Sequence, residues 1–458
     1  MRGLVSLIQT QLRSLRAEGE AIPFLRLLRS CFLLRFRLAV AVPRNDKLLN
    51  TLVLATLISL TALAGCGVKS SDDGKKEARI VMWLIGSEGQ ALTIRDLAED
   101  FYRETKIRVK CDAISWGDAH SKYLTSIAGG VAPDIGTMGL TWGTEFGNLG
   151  SMVDLSVVYK DEIRGIKESV FKGLWDSMEY KGKVFGIPFD MTEYVVYYRK
   201  DIIPAPPKTW EELTGLLAAL NAKNKSMIFD WGSLSWIGYS PFLWQAGGDY
   251  YSGDYSMVTV DSPEALKAIN FFAELYTRYK VPKTKIPLEQ GIRTGDFPIA
   301  ISGNWKIEDI RTSAPEIAGK WGIAMLPKGP TGRHTAFIGG RIMGIFEQSK
   351  NKEAAWKFIK FLFRPDIQDR LYEAALTKQD TYLPTNKKAW DMLKMDPEFK
   401  KVLVAQAEDA KGPPAVANWD SASKYIDEAI QKIILQHSDP VKELGAAKRG
   451  LGKTLIKI

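Results

Sequence analysis

The chain has 458 residues, 62 Lys/Arg against 53 Asp/Glu for a formal charge of +9, and 45% hydrophobic residues. That length is too great for one core, so two lobes are expected. A basic total invites a nucleic-acid reading, yet residues 1–65 alone carry nine Lys/Arg and three Asp/Glu; the rest is near balance, which removes nucleic acid as an expected partner.

In chain order, the first clear element is an apolar run of about 16 residues at 48–63, preceded by Arg44 and Lys47 and followed by Leu63-Ala64-Gly65-Cys66. A basic flank, a short apolar segment and small residues read as a secretory signal, since a spanning helix needs ~20 apolar residues. Leu-Ala-Gly-Cys is similar to the bacterial lipobox, which implies lipidation of the Cys66 thiol, cleavage before it and anchoring to the membrane. Residues 66–77 then read as a flexible tether. Residues 1–43, with seven arginines, fit no part of a lipoprotein signal. They are expected to reflect a start site placed too far upstream, a genuine basic extension being the alternative.

Of the three cysteines, Cys31 falls in the leader and Cys66 is the lipid site, so Cys111 has no intramolecular partner and reads as a strand residue. His120, His334 and His437 are not spaced as metal ligands, and His120 and His437 read as surface residues. No HExxH, CxxC or GxSxG occurs, and no pairing of acids or nucleophiles stands out. No catalytic residue, metal or cofactor is therefore expected.

From residue 79 onward, strand and helix patterns alternate. Residues 79–85 form a buried-strand run, 91–105 have helical spacing, 107–114 read as a strand, 120–128 as a helix, and Ala132-Pro133-Asp134-Ile135 leads into a short strand. This order predicts a doubly wound α/β lobe. Ligands of such sheets sit beyond the carboxyl ends of the strands, which points to the loops Gly86-Ser87-Glu88, Ser115-Trp116-Gly117-Asp118 and Gly139-Leu140-Thr141-Trp142. A polar turn at Lys181-Gly182-Lys183 then opens an apolar strand broken by Pro188, with a second strand predicted over 194–198. Thr209, followed by Trp210-Glu211-Glu212, reads as the N-cap of a new helix.

An ordered set of motifs runs from about residue 78 to the C-terminus. It comprises the opening strand with Trp83, Ala132-Pro133-Asp134-Ile135, Gly-Lys-Val-Phe-Gly-Ile-Pro-Phe at 182–189, and Tyr197-Tyr198-Arg199-Lys200-Asp201. Pro207-Lys208-Thr209-Trp210-Glu211-Glu212-Leu213, Gln245-Ala246-Gly247-Gly248-Asp249, Gly303-Asn304-Trp305 and Ala324-Met325-Leu326-Pro327 follow. Phe337-Ile338-Gly339-Gly340 and the helix at 353–359 complete it. In this set the chain resembles the sugar-binding extracellular solute-binding proteins, the maltose-binding group. The resemblance implies a clamshell of the periplasmic-binding-protein type, each of its two lobes a doubly wound α/β sheet with flanking helices. Lobe one would be 78–189 plus 330–380 and lobe two 192–326 plus 381–458, with hinges near 188–192, 326–330 and 382–384. It further implies a monomeric, non-enzymatic receptor outside the cytoplasm that hands its ligand to the permease subunits of an ABC importer.

Aromatic usage points to the ligand. Thirteen tryptophans follow the leader, and sugar rings bind flat aromatic platforms edged by polar groups. Family positions for stacking fall on Trp305, beside Asn304, and on Trp419. Trp236 and Tyr239 form a third candidate platform. Glu88, Trp116, Thr141 and Trp142 are drawn from the strand-end loops, Asp190 and Glu193 from the hinge, and Gly340 and Arg341 from the Gly-Gly motif. Ser87-Glu88 and Thr141-Trp142 stand where maltose-binding protein has charged pairs, so a saccharide other than maltose is expected. The alternatives are a non-sugar solute (a polyamine, a glycerophosphodiester or a metal chelate) in the same fold and, more remotely, a polysaccharide-active enzyme.

Overall fold

The computed structural model describes residues 77–229, 235–378 and 380–455. The leader, the lipobox cysteine and most of the tether lie outside them. No helix among the described residues is long and apolar enough to cross a membrane.

Strands β1 (Arg79–Ile85) and β2 (Arg108–Ile114) pair in parallel over their whole length, joined by helix α1 (Glu88–Thr105). The Ser87 side chain caps α1 by accepting from Gln90 N, and Lys106 closes it in a left-handed conformation. Helix α2 (Trp116–Ala128), capped by Ser115, returns the chain to β3 (Ile135–Gly139), parallel to β1 on its other side. Helix α3 (Trp142–Asn148) follows. All three of the expected loops thus run into helix starts: Glu88, Trp116 and Trp142 occupy first turns. Cys111 is buried in β2, where burial pushes its thiol up to about 12.

After a short hairpin of Glu179–Tyr180 with Lys183–Val184, a long strand organises the molecule. β4 (Ile187–Arg199) is a single 13-residue strand, not two strands parted at Pro188. Pro188 lies near its start, beside a register shift opposite Arg341/Ile342, where a missing N–H is tolerated. Its sequel is helix α4 (Trp210–Asn221), with Thr209 accepting from Glu212 N as expected, then strand β5 (Met227–Phe229) and helices α5 (Ser235–Gln245) and α6 (Pro263–Thr277). Strand β6 (Ile299–Gly303), helix α7 (Lys306–Ser313) and strand β7 (Trp321–Ala324) follow. Strand β8 (Ala336–Ile345) leads to helices α8 (Lys352–Leu362) and α9 (Pro365–Thr377), and the chain ends on α10 (Trp419–Gln436) and α11 (Pro440–Thr454).

Sheet order among the described residues is β2-β1-β3-β8-β4-β6-β5, with β7 also on β4. The first half of β4 pairs with β8, and its second half pairs with β6 and β7. Side chains beyond the midpoint alternate between two cores: Val195 and Tyr197 enter one, Tyr194 and Val196 the other. Residues 382–385 run beside the same strand, Met191 N donating to Leu383 O (3.1 Å) and Tyr382 Oη to Phe189 O (2.9 Å). Helix α10 packs on α5 and α6, and α9 packs on α1. The two-lobed α/β architecture is therefore present, hung on one shared strand.

Close approach between β8 and β4 depends on Gly340, whose φ is +137° and where a Cβ would lie 2.1 Å from Asp190 O. Gly340→Ala is expected to cost about 2–4 kcal/mol, from backbone strain plus a clash that the sheet cannot relax. Urea denaturation of the variant checks this, and a midpoint within error of the unsubstituted protein would contradict it.

Candidate functional site

A cleft of about 1200 Å³ opens where the strand ends of the first lobe face the second. Its first-lobe wall is built from the residues after β1 (Gly86, Ser87), the first turns of α2 and α3 (Trp116, Trp142) and the end of β3. Its floor is the crossing strand at 190–192 with Gly339–Arg341 of β8. Its second-lobe wall is Trp305 before α7, the start of α5 at Trp236, Phe337, and the first turn of α10 from Trp419 to Lys424.

Aromatic rings dominate both walls. Trp116 is 53% exposed and meets the edge of Trp142 at 6.0 Å between centroids. Opposite them, Trp236 sits perpendicular to Trp419 at 5.1 Å and edges Phe337 at 5.6 Å. Trp305 is half-buried, its ring lying back over Gly303, where a Cβ would fall 1.9 Å from the indole. Gly303 is what allows this platform to lie flat. The indole N–H groups of Trp236 and Trp419 are buried donors with no partner among the described residues.

The polar groups are anchored. Arg341, buried on the floor, donates to both oxygens of Asp190 and to Ile85 O and Gln90 Oε1. Asp190 Oδ1 also accepts from Arg341 N at 2.9 Å. Asp380 accepts from Ser87 Oγ (2.9 Å) and Gln90 Nε2 (2.8 Å). At the rim, His120 Nε2 lies 3.0 Å from Glu145, which raises the imidazole pKa above its ordinary value. Trp142 Nε1 donates to Asp420 Oδ2 at 2.8 Å. Lys424, exposed beside them, forms no ion pair among the described residues. Nor do those residues contain a group of three or more His, Cys, Asp or Glu able to hold a metal ion. The arrangement can bind a ring-shaped, hydroxylated molecule between apolar faces and fixed polar edges.

Nine of the sequence candidates line this cleft: Trp116, Thr141, Trp142, Asp190, Trp236, Trp305, Gly340, Arg341 and Trp419. Four do not. Glu88 points to solvent and pairs with Arg95 at 2.5 Å. Tyr239 is 1% exposed and donates to Ala265 O in the second core. Glu193 is fully buried on the strand face away from Asp190, its carboxylate lacks a partner among the described residues, and burial holds its pKa well above the usual range. Asn304 is buried too: its Oδ1 accepts from Glu193 N (2.9 Å), joining β6 to β4. Sequence reasoning names the loop that carries Ser87 but selects Glu88 from it, misses Gln90, Asp380 and Asp420, and reads His120 as a plain surface residue. The N-cap pattern was a usable signal for Ser87; none marked Asp380.

A model of the family described as bacterial extracellular solute-binding protein matches residues 96–401. The diacetylchitobiose binding protein DasA of Streptomyces coelicolor is 26% identical over 353 residues, 72% of this chain and 80% of that protein. A maltooligosaccharide ABC transporter solute-binding lipoprotein of Streptococcus pneumoniae is 24% identical over 84% of this chain and 92% of its own. The solved structure of the sugar-binding protein MalE from Xanthomonas citri superposes with a TM-score of 0.75, at 24% identity, over 82% of this chain and 97% of that one.

Two outcomes follow from the anchored polar groups. Arg341→Met strands the buried Asp190 carboxylate and is expected to lower stability by about 3–5 kcal/mol, most of it regained in Arg341→Met/Asp190→Leu; equal denaturation midpoints for both variants would refute this. His120, raised by Glu145, contributes stability that is fully present below its unfolded value near 6.5 and is lost as pH rises through the raised folded value. The melting-temperature gap between the unsubstituted protein and His120→Gln should therefore be widest at acid pH and close above neutrality. A gap that widens with pH would have the wrong sign.

Proposed function

The chain belongs to the bacterial extracellular solute-binding proteins, and we propose that it is the receptor of an ABC importer for a short saccharide, closed between its two lobes. The observation that carries this reading is the cleft lined from both sides by indole rings, with anchored carboxylate and guanidinium groups at its floor. Stacking on pyranose C–H faces needs such platforms, and hydroxyl recognition needs fixed polar edges. The volume is on the scale of, or above, the ~300–1,000 Å³ of small-molecule sites, which favours more than one sugar ring. A diacetylchitobiose binding protein and a maltooligosaccharide receptor among its relatives support the ligand class.

The receptor does no chemistry; it changes shape. A ligand touching both walls favours the closed state by the contacts it makes only there. The shared strand β4 and the segment at 380–385 are the places able to absorb that motion, which we assign as hinges, close to 188–192 and 382–384. The lipobox at Cys66 and the chain's likeness to a solute-binding lipoprotein support a lipid anchor to the bacterial cell membrane outside the cytoplasm, in the periplasm or at the cell surface, where closure presents the loaded receptor to its permease.

The test is calorimetric titration of the purified protein with diacetylchitobiose, maltooligosaccharides, a polyamine and a glycerophosphodiester. Saturable heat with one saccharide series is expected, and Trp305→Ala should weaken that binding by about 1–3 kcal/mol, the loss of one aromatic anchor, without moving the melting temperature of the free protein by more than a few degrees. Binding of the charged solutes alone would overturn the saccharide assignment.

A further inference from the structure

Among the described residues four carboxylates face the cleft, and three are held by neighbours that keep them occupied. Asp190 is bound by Arg341, Asp309 by Lys306 on the same helix at 2.7 Å, and Asp380 by Ser87, Gln90 and the Thr381 N–H. Asp420 differs in kind. Its partner, the Trp142 indole, stands on α3 beyond β3 of the first lobe, whereas Asp420 lies in the first turn of α10, packed on α5 and α6 of the second. The bond therefore runs from lobe to lobe across the mouth of the cleft, from a neutral donor to an acid at the rim.

We propose that Asp420 is a specificity-determining residue of the cleft and that its bond to Trp142 is a clasp which the ligand exchanges: the carboxylate leaves the indole and accepts two hydroxyl groups of the saccharide. This rests on the saccharide reading above. A carboxylate offers two acceptor oxygens, a geometry that neighbouring ring hydroxyls satisfy together. The exchange also frees the indole N–H for a ligand oxygen while leaving the Trp142 face in the wall.

The surroundings favour a neutral polyol over an anion. Facing Asp420 are the Trp142 N–H, the His120–Glu145 pair and Lys424, so among the described residues the rim carries two carboxylates against one unpaired ammonium and one imidazole. An acidic sugar would meet Asp420 and Glu145 at the position where a neutral one donates its hydroxyls. Desolvation between the lobes already lifts the Asp420 carboxyl above its ordinary range, opposed by the indole bond. That bond is therefore one the carboxylate leaves only for other donors.

The experiment compares Trp142→Phe and Asp420→Ala with the unsubstituted protein, using maltotriose and diacetylchitobiose as probes in calorimetry and small-angle scattering of the ligand-free forms. Both variants lose the clasp, so both should scatter as wider, more open molecules. Their affinities should move in opposite directions. Trp142→Phe keeps the ring and the acceptor but removes the competitor, so binding tightens several-fold. Asp420→Ala removes the acceptor and weakens binding roughly tenfold, the equivalent of one hydrogen bond to a charged group. Affinities that fall together, or do not change, with the unsubstituted protein binding normally, overturn the exchange alone. An unsubstituted protein that binds neither probe overturns the saccharide reading and the exchange with it.

Discussion

The structure depends on one strand serving two lobes. β4 gives its first half to β8 and its second half to β6 and β7, so neither lobe can complete its sheet without it. On the proposed hinge reading, a strand in that position has to be stiff along its length yet able to twist at one point. The bulge opposite Arg341/Ile342 supplies that point, because it interrupts the ladder and raises the local twist. The Asp190–Arg341 pair fixes the same place from the side, with Arg341 tied also to the end of β1 and to α1. A buried ion pair is weak evidence of stability, since desolvation offsets most of its attraction, but it is strict about geometry. At a crossing between lobes, geometry is what such a pair fixes.

Geometry at the crossing also decides what the cleft can offer a ligand. Arg341 spends its donors on Asp190, Ile85 and Gln90, which leaves it a floor rather than a free anion-binding group. Recognition is thereby shifted to the walls. There the first lobe contributes helix first turns and the second contributes Trp305, Trp236 and Trp419, whose rings are braced against Gly303, Phe337 and each other. Platforms that are already packed lose little side-chain entropy on binding, so their apolar contact is not offset by ordering.

Much of this was legible in the sequence for physical reasons, and the failures have physical reasons too. Caps gave away helix starts: Thr209 reads correctly because an N-cap side chain and its acidic first turn are local chemistry. The same logic at Ser87 would have assigned that residue to the cap and cleft edge and pushed Glu88 onto the outward face, where it pairs with Arg95. Asp190 and Glu193 could not both face the ligand, since three residues apart on a strand they emerge on opposite sides; Thr192 was the consistent partner of Asp190, and it lines the cleft. Pro188 looked like a break because its missing N–H was read without a partner strand; the register shift opposite it comes from β8, some 150 residues away. Tyr239 and Asn304 were drawn in by proximity to real wall residues, and only packing by α6 and the bond to Glu193 N turn them inward. Asp380 and the pairing of Asp420 with Trp142 are tertiary facts with no local signature.

A receptor of this design has to solve an energetic problem that its aromatic walls make worse. Two apolar faces set opposite each other in water attract, and the closed state without ligand is a dead end if it is too stable. Here, among the described residues, one side-chain hydrogen bond, from Trp142 to Asp420, joins the walls, and a cleft of about 1200 Å³ stays between them. Such a bond contributes about 1.5–3 kcal/mol at most, small enough for the lobes to part often. On the proposed reading, a saccharide filling the space adds ring stacking on both sides and several polar contacts. Its differential affinity for the closed form is then the larger quantity, and a shift from mostly open to mostly closed needs only about 5.5 kcal/mol of it. On the proposed reading, a wide, aromatic, weakly bridged cleft leaves closure to be decided by the ligand rather than by the protein's own contacts.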